Sequence, residues 1–174
     1  MKQVPESHPL RALFSGLTEQ TFFCEMGVAD TRLTDYLSQL LVRFIHRDSI
    51  YMLKGSQGRR LVEIAEMLLD ADRPEHDAKT RREIFRHAGD VALFWSGVYP
   101  EALQRSKGSG KISVRLEEVF AQGKRSYYIA STYSDTPKQA DEAPVLRRLS
   151  DDFEICAQGL RRVRSCWEHK GEAS

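Results

Sequence analysis

Between Leu146 and Trp167 the apolar residues fall at alternating three- and four-residue steps: Leu146, Leu149, Phe153, Cys156, Leu160, Val163 and Trp167. That period belongs to the α-helix, so these side chains line a single narrow stripe that has to be kept from water. A chain carrying such a stripe must fold helix against helix. Packing inside an antiparallel bundle is the plainer outcome, and a two-fold dimer seam is the sharper one. Asp141 as cap and Pro144 in the first turn are predicted to start this helix. Arg161, Arg162, Arg164 and Lys170 suit the negative pole at its end. Gly159 inside it costs about 1 kcal/mol relative to alanine, which points to a close backbone crossing there.

The same period organises the rest of the chain. Leu33, Tyr36, Leu37, Leu40, Leu41, Phe44 and Ile45 predict an amphipathic helix capped by Asp30 or Thr31. Ahead of it two short helices are expected, the first ending near Gly16 and the second capped by Thr18 and stopped at Gly27. Ser49 to Leu53 reads as a loop or short extended arm running into a turn at Lys54 to Gly58. A helix from about Gly58 to Leu69 follows, burying Leu61, Ile64, Ala65 and Leu68 and broken by Arg73-Pro74. From Asp77 to Val98 the pattern is helical but apolar nearly all round, with Val91, Ala92, Leu93, Phe94 and Trp95 adjacent, as befits a helix at the centre of a fold or under an oligomer interface. Pro100 restarts a short helix, and Ser113 opens another with Leu116, Val119, Phe120, Gly123 and Tyr127 on one face.

These readings predict an all-α, single-domain irregular helical bundle of six to eight helices spanning residues 1–174, with a flexible loop near 106–111 and a polar break at 134–142. The Asp77–Val98 helix is expected at its centre, with the Val145–Glu168 helix packed along it. The length suffices for a core without disulfides or metal. Twenty-six basic residues against 25 acidic ones leave a net charge of +1, so no global field favours nucleic acid or an anionic membrane. No apolar run is long enough to cross a membrane, and the start lacks the apolar stretch of a secretory signal. The three cysteines, Cys24, Cys156 and Cys166, form no CxxC pair and read as reduced thiols. A cytoplasmic protein is expected.

Two segments carry a resemblance. His87-Ala88-Gly89-Asp90-Val91-Ala92-Leu93-Phe94-Trp95-Ser96-Gly97-Val98-Tyr99-Pro100-Glu101 and Gln122-Gly123-Lys124-Arg125-Ser126-Tyr127-Tyr128-Ile129-Ala130 resemble an uncharacterised family of helical bacterial proteins. The stretch from Phe44 to Leu69, with Tyr51 and Gly58-Arg59-Arg60-Leu61, is similar to it too. The resemblance implies a bacterial source and a helical fold, and it brings no assigned activity and no site residues.

Among polar constellations, Glu83, His87 and Asp90 share one helix face, a spacing at which imidazole and carboxylates can converge on a metal or act as acid and base. The competing reading starts from the apolar run beside Asp90: a carboxylate buried there without a partner costs several kcal/mol. Asp90 is therefore expected to meet Lys124, Arg125 or a hydroxyl of Ser126 or Tyr127. Ser96-Gly97 lacks the preceding glycine and strand of a nucleophile elbow. The basic clusters Arg59-Arg60, Lys79 with Arg81, Arg82 and Arg86, Lys124-Arg125, Arg147-Arg148 and Arg161-Arg162 with Arg164 are interleaved with acids, as on solvated helix faces. The runs near Gly55 and Gly108 lack the setting of a phosphate loop. Phe14, Phe22, Phe23, Phe44, Phe85, Phe94, Trp95, Phe120, Phe153 and Trp167 read first as core and second as the lining of an apolar pocket. The leading expectation is a non-enzymatic binding or interaction module that associates with itself, with no cofactor and no metal. A small-molecule or catalytic site near His87 and Asp90, drawing on Glu83, Lys124, Arg125 and Tyr127, is the alternative. Nucleic-acid contact through basic helix faces comes third.

Overall fold

The structure, a computed structural model, describes residues 9–52, 59–103 and 116–172. Its α-helices are α1 (Pro9–Glu19), α2 (Thr31–Met52), α3 (Arg59–Ala71), α4 (Ala78–Val98), α5 (Leu116–Ser131), α6 (Pro137–Asp151) and α7 (Phe153–Glu172). A π-helical turn, Gln20–Glu25, extends α1, and a 3-10 turn, Pro100–Ala102, follows α4. The chain is an all-α bundle, with no strand among the described residues. The expected turn at Lys54–Gly58, the loop near 106–111 and the helix start at Ser113 lie outside the described residues.

The all-round apolar pattern of α4 has the expected consequence. Every residue from Ala88 to Val98 is buried, and α2, α3, α5 and α7 pack against this helix. Asp77 starts α4, its Oδ1 accepting from the Thr80 amide at 2.7 Å. At the other end Arg164 of α7 donates to the Val98 carbonyl at 2.8 Å and lies over the Tyr99 ring at 4.5 Å. A cation thus meets the negative pole of the central helix.

Glycines set the closest crossings. Gly89 of α4 faces the Tyr127 ring of α5, where an added Cβ would stand 2.7 Å from Cδ1. Gly97 faces Ala157 and Leu160 of α7, Gly123 faces the Phe153 ring, and Gly159 faces the Phe22 ring. The close crossing expected at Gly159 is therefore present, and Phe22 is the group that needs the space.

The C-terminal stripe is consumed within the chain: Leu146, Leu149, Phe153, Cys156, Leu160 and Val163 are all fully buried. The single helix starting at Asp141 is corrected. Thr136 is the cap, accepting from the Gln139 amide while the Gln139 side chain accepts from the Thr136 amide, a complete capping box. The polar break therefore closes at Thr136, and Pro144 lies inside α6. One residue, Asp152, with φ −107° and ψ 29°, divides α6 from α7 and leaves the apolar stripe continuous.

Other boundaries move for local reasons. α1 runs through Gly16 to Glu19, and Thr18 is buried in it instead of capping a second piece. Gly27, at φ 70°, is the left-handed stop the sequence predicts. α2 continues to Met52 across the expected loop or extended arm, because lengthening an existing helix gains a hydrogen bond for each residue fixed. α4 runs through Gly97 and ends at Val98, where the pattern puts its end. In α3, Ile64 is buried as expected and Ala65 is exposed.

Candidate functional site

Asp90 sits on α4 with 1% of its surface exposed. Burying a carboxylate at that depth demands partners, and three converge on it. Tyr36 and Arg43, two helical turns apart on α2, reach it from one side and Tyr127 of α5 from the other. The Tyr36 hydroxyl donates to Oδ1 at 2.6 Å and the Tyr127 hydroxyl to the same oxygen at 2.7 Å, while Arg43 Nη2 donates to Oδ2 at 3.2 Å. The two phenol rings meet edge to face at 6.4 Å. Burial, and then the Asp90 charge, push both tyrosine hydroxyls well above their ordinary range, so they stay protonated as donors.

A second network flanks the first. Arg82, with 3% of its side chain exposed, donates to Glu83 at 2.6 Å and to Glu142 of α6 at 2.7 Å. Arg86 donates to Glu83 through Nη2 at 2.7 Å. Burial alone would raise the Glu83 carboxyl, but Arg86 and Arg82 together pull it below its usual range. Burial works against the Arg86 charge, which Tyr36, Asp90 and Glu83 more than sustain.

Of the residues singled out by sequence, Tyr127 meets Asp90 and the others do not. Lys124 pairs with Glu154 at 3.0 Å, Arg125 is exposed, and Ser126 donates to the Gln122 carbonyl at 2.7 Å. The His87 ring stacks on Phe44 at 6.2 Å, and Phe44 stacks in turn on Phe94 at 4.8 Å. Glu83 turns to arginines, so the face it shares with His87 and Asp90 does not draw the three onto one point. Among the described residues no group of three or more side chains is placed to hold a metal ion. Sequence reasoning missed Arg43 and the Arg82–Glu142 tie, and it counted Tyr36 only as part of an apolar face. The available signal was the seven-residue spacing of Tyr36 and Arg43, which aligns two hydrogen-bond donors along one helix.

Other reactive groups are similarly engaged. The Ser96 hydroxyl donates to the Ala92 carbonyl at 2.5 Å, within a helix. Burial pushes the Cys156 thiol up to about 12, which keeps it protonated and a poor nucleophile. Several of the basic clusters are spent on carboxylates, with Arg147 on Asp151 at 3.6 Å, Arg162 on Glu25 at 3.6 Å and Arg164 on Glu168 at 2.7 Å. Arg147 also covers the Tyr128 ring at 4.3 Å, occupying a face on which a base would stack. The aromatic residues form the core: Phe14, Phe22, Phe44, Phe85, Phe94, Trp95 and Phe153 belong to one buried cluster.

No protein-family model, curated protein or solved structure matches this chain. The functional reading therefore rests on the chain's own chemistry. Asp90 uses both oxygens as acceptors, and its tyrosines act as donors to it. A carboxylate held in this way joins α2, α4 and α5 as a polar latch.

Proposed function

We propose that this protein is a non-enzymatic interaction module that associates with a second copy of itself, its buried polar cluster serving the fold and its outer helices serving recognition. The observation that carries this reading is the saturation of Asp90 by Tyr36, Tyr127 and Arg43. A catalytic acid or base must offer a proton or a lone pair to substrate, whereas this carboxylate is committed on both oxygens. The free thiols Cys24, Cys156 and Cys166 support a reducing, cytoplasmic setting. Kinship with an uncharacterised family of helical bacterial proteins belongs to the same reading and rests on the resembling segments 87–101 and 122–130 alone.

A second reading keeps the alternative of a small-molecule site. The Arg43 side chain remains 35% exposed, so a small anion approaching from solvent would find a guanidinium beside the cluster. Size-exclusion chromatography with light scattering separates the two readings. Mass rising with concentration supports the interaction module. A constant monomer mass, together with thermal stabilisation by small carboxylates or phosphate that Arg43→Gln abolishes, supports the second.

A further inference from the structure

The two halves of α6 are held in different ways. Pro144 stands at the midpoint of this helix and has no amide to give to the Ala140 carbonyl, so the hydrogen-bond ladder is interrupted there. Beyond it Val145, Leu146, Leu149 and Ser150 are buried, and the Ser150 hydroxyl donates to the Lys124 carbonyl of α5 at 2.8 Å. Before it no apolar side chain is fully buried. Pro137, Lys138, Ala140 and Asp141 are exposed, and Glu142 and Ala143 are partly so. Gln139, the one buried residue of this front half, is spent on the capping box of its own first turn.

Polar ties at Asp141 and Glu142 hold the front half down. Arg32 of α2 donates to the Asp141 carbonyl at 2.6 Å and pairs with its carboxylate at 3.2 Å, but the two side chains are 53% and 76% exposed. An ion pair so open to water contributes little. The tie that counts is the one between Glu142 and Arg82 of α4 at 2.7 Å, where the arginine side chain is 3% exposed. Arg82 keeps Glu83 of its own helix, at 2.6 Å, whether or not α6 is in place. Lifting the front half of α6 therefore does not strand a charge without a partner, which is the event that makes breaking a buried pair so costly.

We propose that residues 136–143 form a flap, hinged at Pro144, that opens while the rest of the bundle stays folded, and that Glu142 on this flap gates the Arg82 guanidinium. A stretch of about eight residues is too short to persist as a helix away from its dock, so the open flap is unwound chain. Closed, the flap hides Arg82. Open, it presents Arg82 to solvent beside Arg86, one helical turn along α4.

Amide hydrogen exchange read by mass spectrometry tests this on the unmodified protein. Corrected for intrinsic rates, the amides of residues 140–143 should exchange at least about tenfold faster than those of residues 146–150. Glu142→Ala should speed the first set at least about tenfold further and leave the second within about twofold. Pro144→Ala returns the missing amide and should slow the first set at least about tenfold. Labelling of Arg82 by phenylglyoxal should slow by the same factor in Pro144→Ala, since that substitution touches no partner of Arg82 and acts only through the opening. A common exchange rate for the two sets in the wild type overturns the flap, and this comparison needs no variant to fold. A Glu142→Ala variant that speeds both sets alike overturns the gating tie. Arg82 labelling that Pro144→Ala leaves unchanged overturns the hinge.

Discussion

Both tyrosine hydroxyls donate to a single oxygen of Asp90, at 2.6 and 2.7 Å, and this geometry predicts a particular non-additivity. Tyr36→Phe or Tyr127→Phe removes one hydrogen bond to a charged acceptor and keeps the ring, a loss of about 1.5–3 kcal/mol. The remaining phenol still serves Oδ1. Removing both leaves that buried oxygen with no donor, since Arg43 sits on Oδ2. The double variant should therefore lose more than the sum of the singles, by about 0.5–2 kcal/mol. Urea unfolding followed by circular dichroism measures this, with an unchanged denaturant slope showing that all variants unfold the same surface. At roughly 2–4 °C per kcal/mol for a chain of this size, each single variant should melt about 3–12 °C lower. Singles that lose under about 0.5 kcal/mol, or a double that is additive within about 0.3 kcal/mol, would refute the latch.

Burial and Asp90 raise both tyrosines, so the folded chain retains protons that the unfolded chain releases. Their contribution is complete below pH about 10 and is lost as pH rises beyond it, by up to about 1.4 kcal/mol per pH unit for each tyrosine. Stability measured across this alkaline range should fall less steeply in the double phenylalanine variant. Gly123→Ala drives a methyl into the Phe153 ring and should destabilise by about 1–3 kcal/mol, whereas Gly16→Ala, with nothing within 4 Å, should stabilise by about 0.5–1 kcal/mol. Thr136→Ala dismantles the capping box of α6 and should cost about 1 kcal/mol in thermal unfolding. In thiol labelling of the native protein, exposed Cys24 should react first and Cys156, buried with its thiol pushed up to about 12, only on unfolding.

Periodicity carried the fold because burial of one helix face is a local property of sequence. The all-round apolar run from Val91 to Trp95 was enough to place α4 at the centre, and the stripe from Leu146 to Val163 was enough to place α6 and α7 in the core. Boundaries were less legible because they depend on which of several adequate caps is used. Asp141 and Pro144 were plausible starts, yet Thr136 with Gln139 satisfies two backbone donors at once and lies earlier in the chain. The need of Asp90 for partners could be read from its apolar neighbours, and Tyr127 was among the residues named for it. Arg43 could not be placed beside it, since that meeting depends on how α2 is rotated against α4. Lys124 and Arg125 were nearer to Tyr127 in sequence, but helical rotation turns Lys124 to Glu154 and Arg125 to solvent.

The central claim is that the buried cluster maintains the fold while association belongs to the surface. Sedimentation equilibrium of the wild type and of the Tyr36→Phe, Tyr127→Phe double variant, under conditions where both are folded, tests it most directly. The account predicts reversible dimerisation of both with dissociation constants equal within about twofold, despite the loss of stability. A wild type that remains one non-associating species at every concentration contradicts it, and so does a double variant that folds fully yet no longer associates.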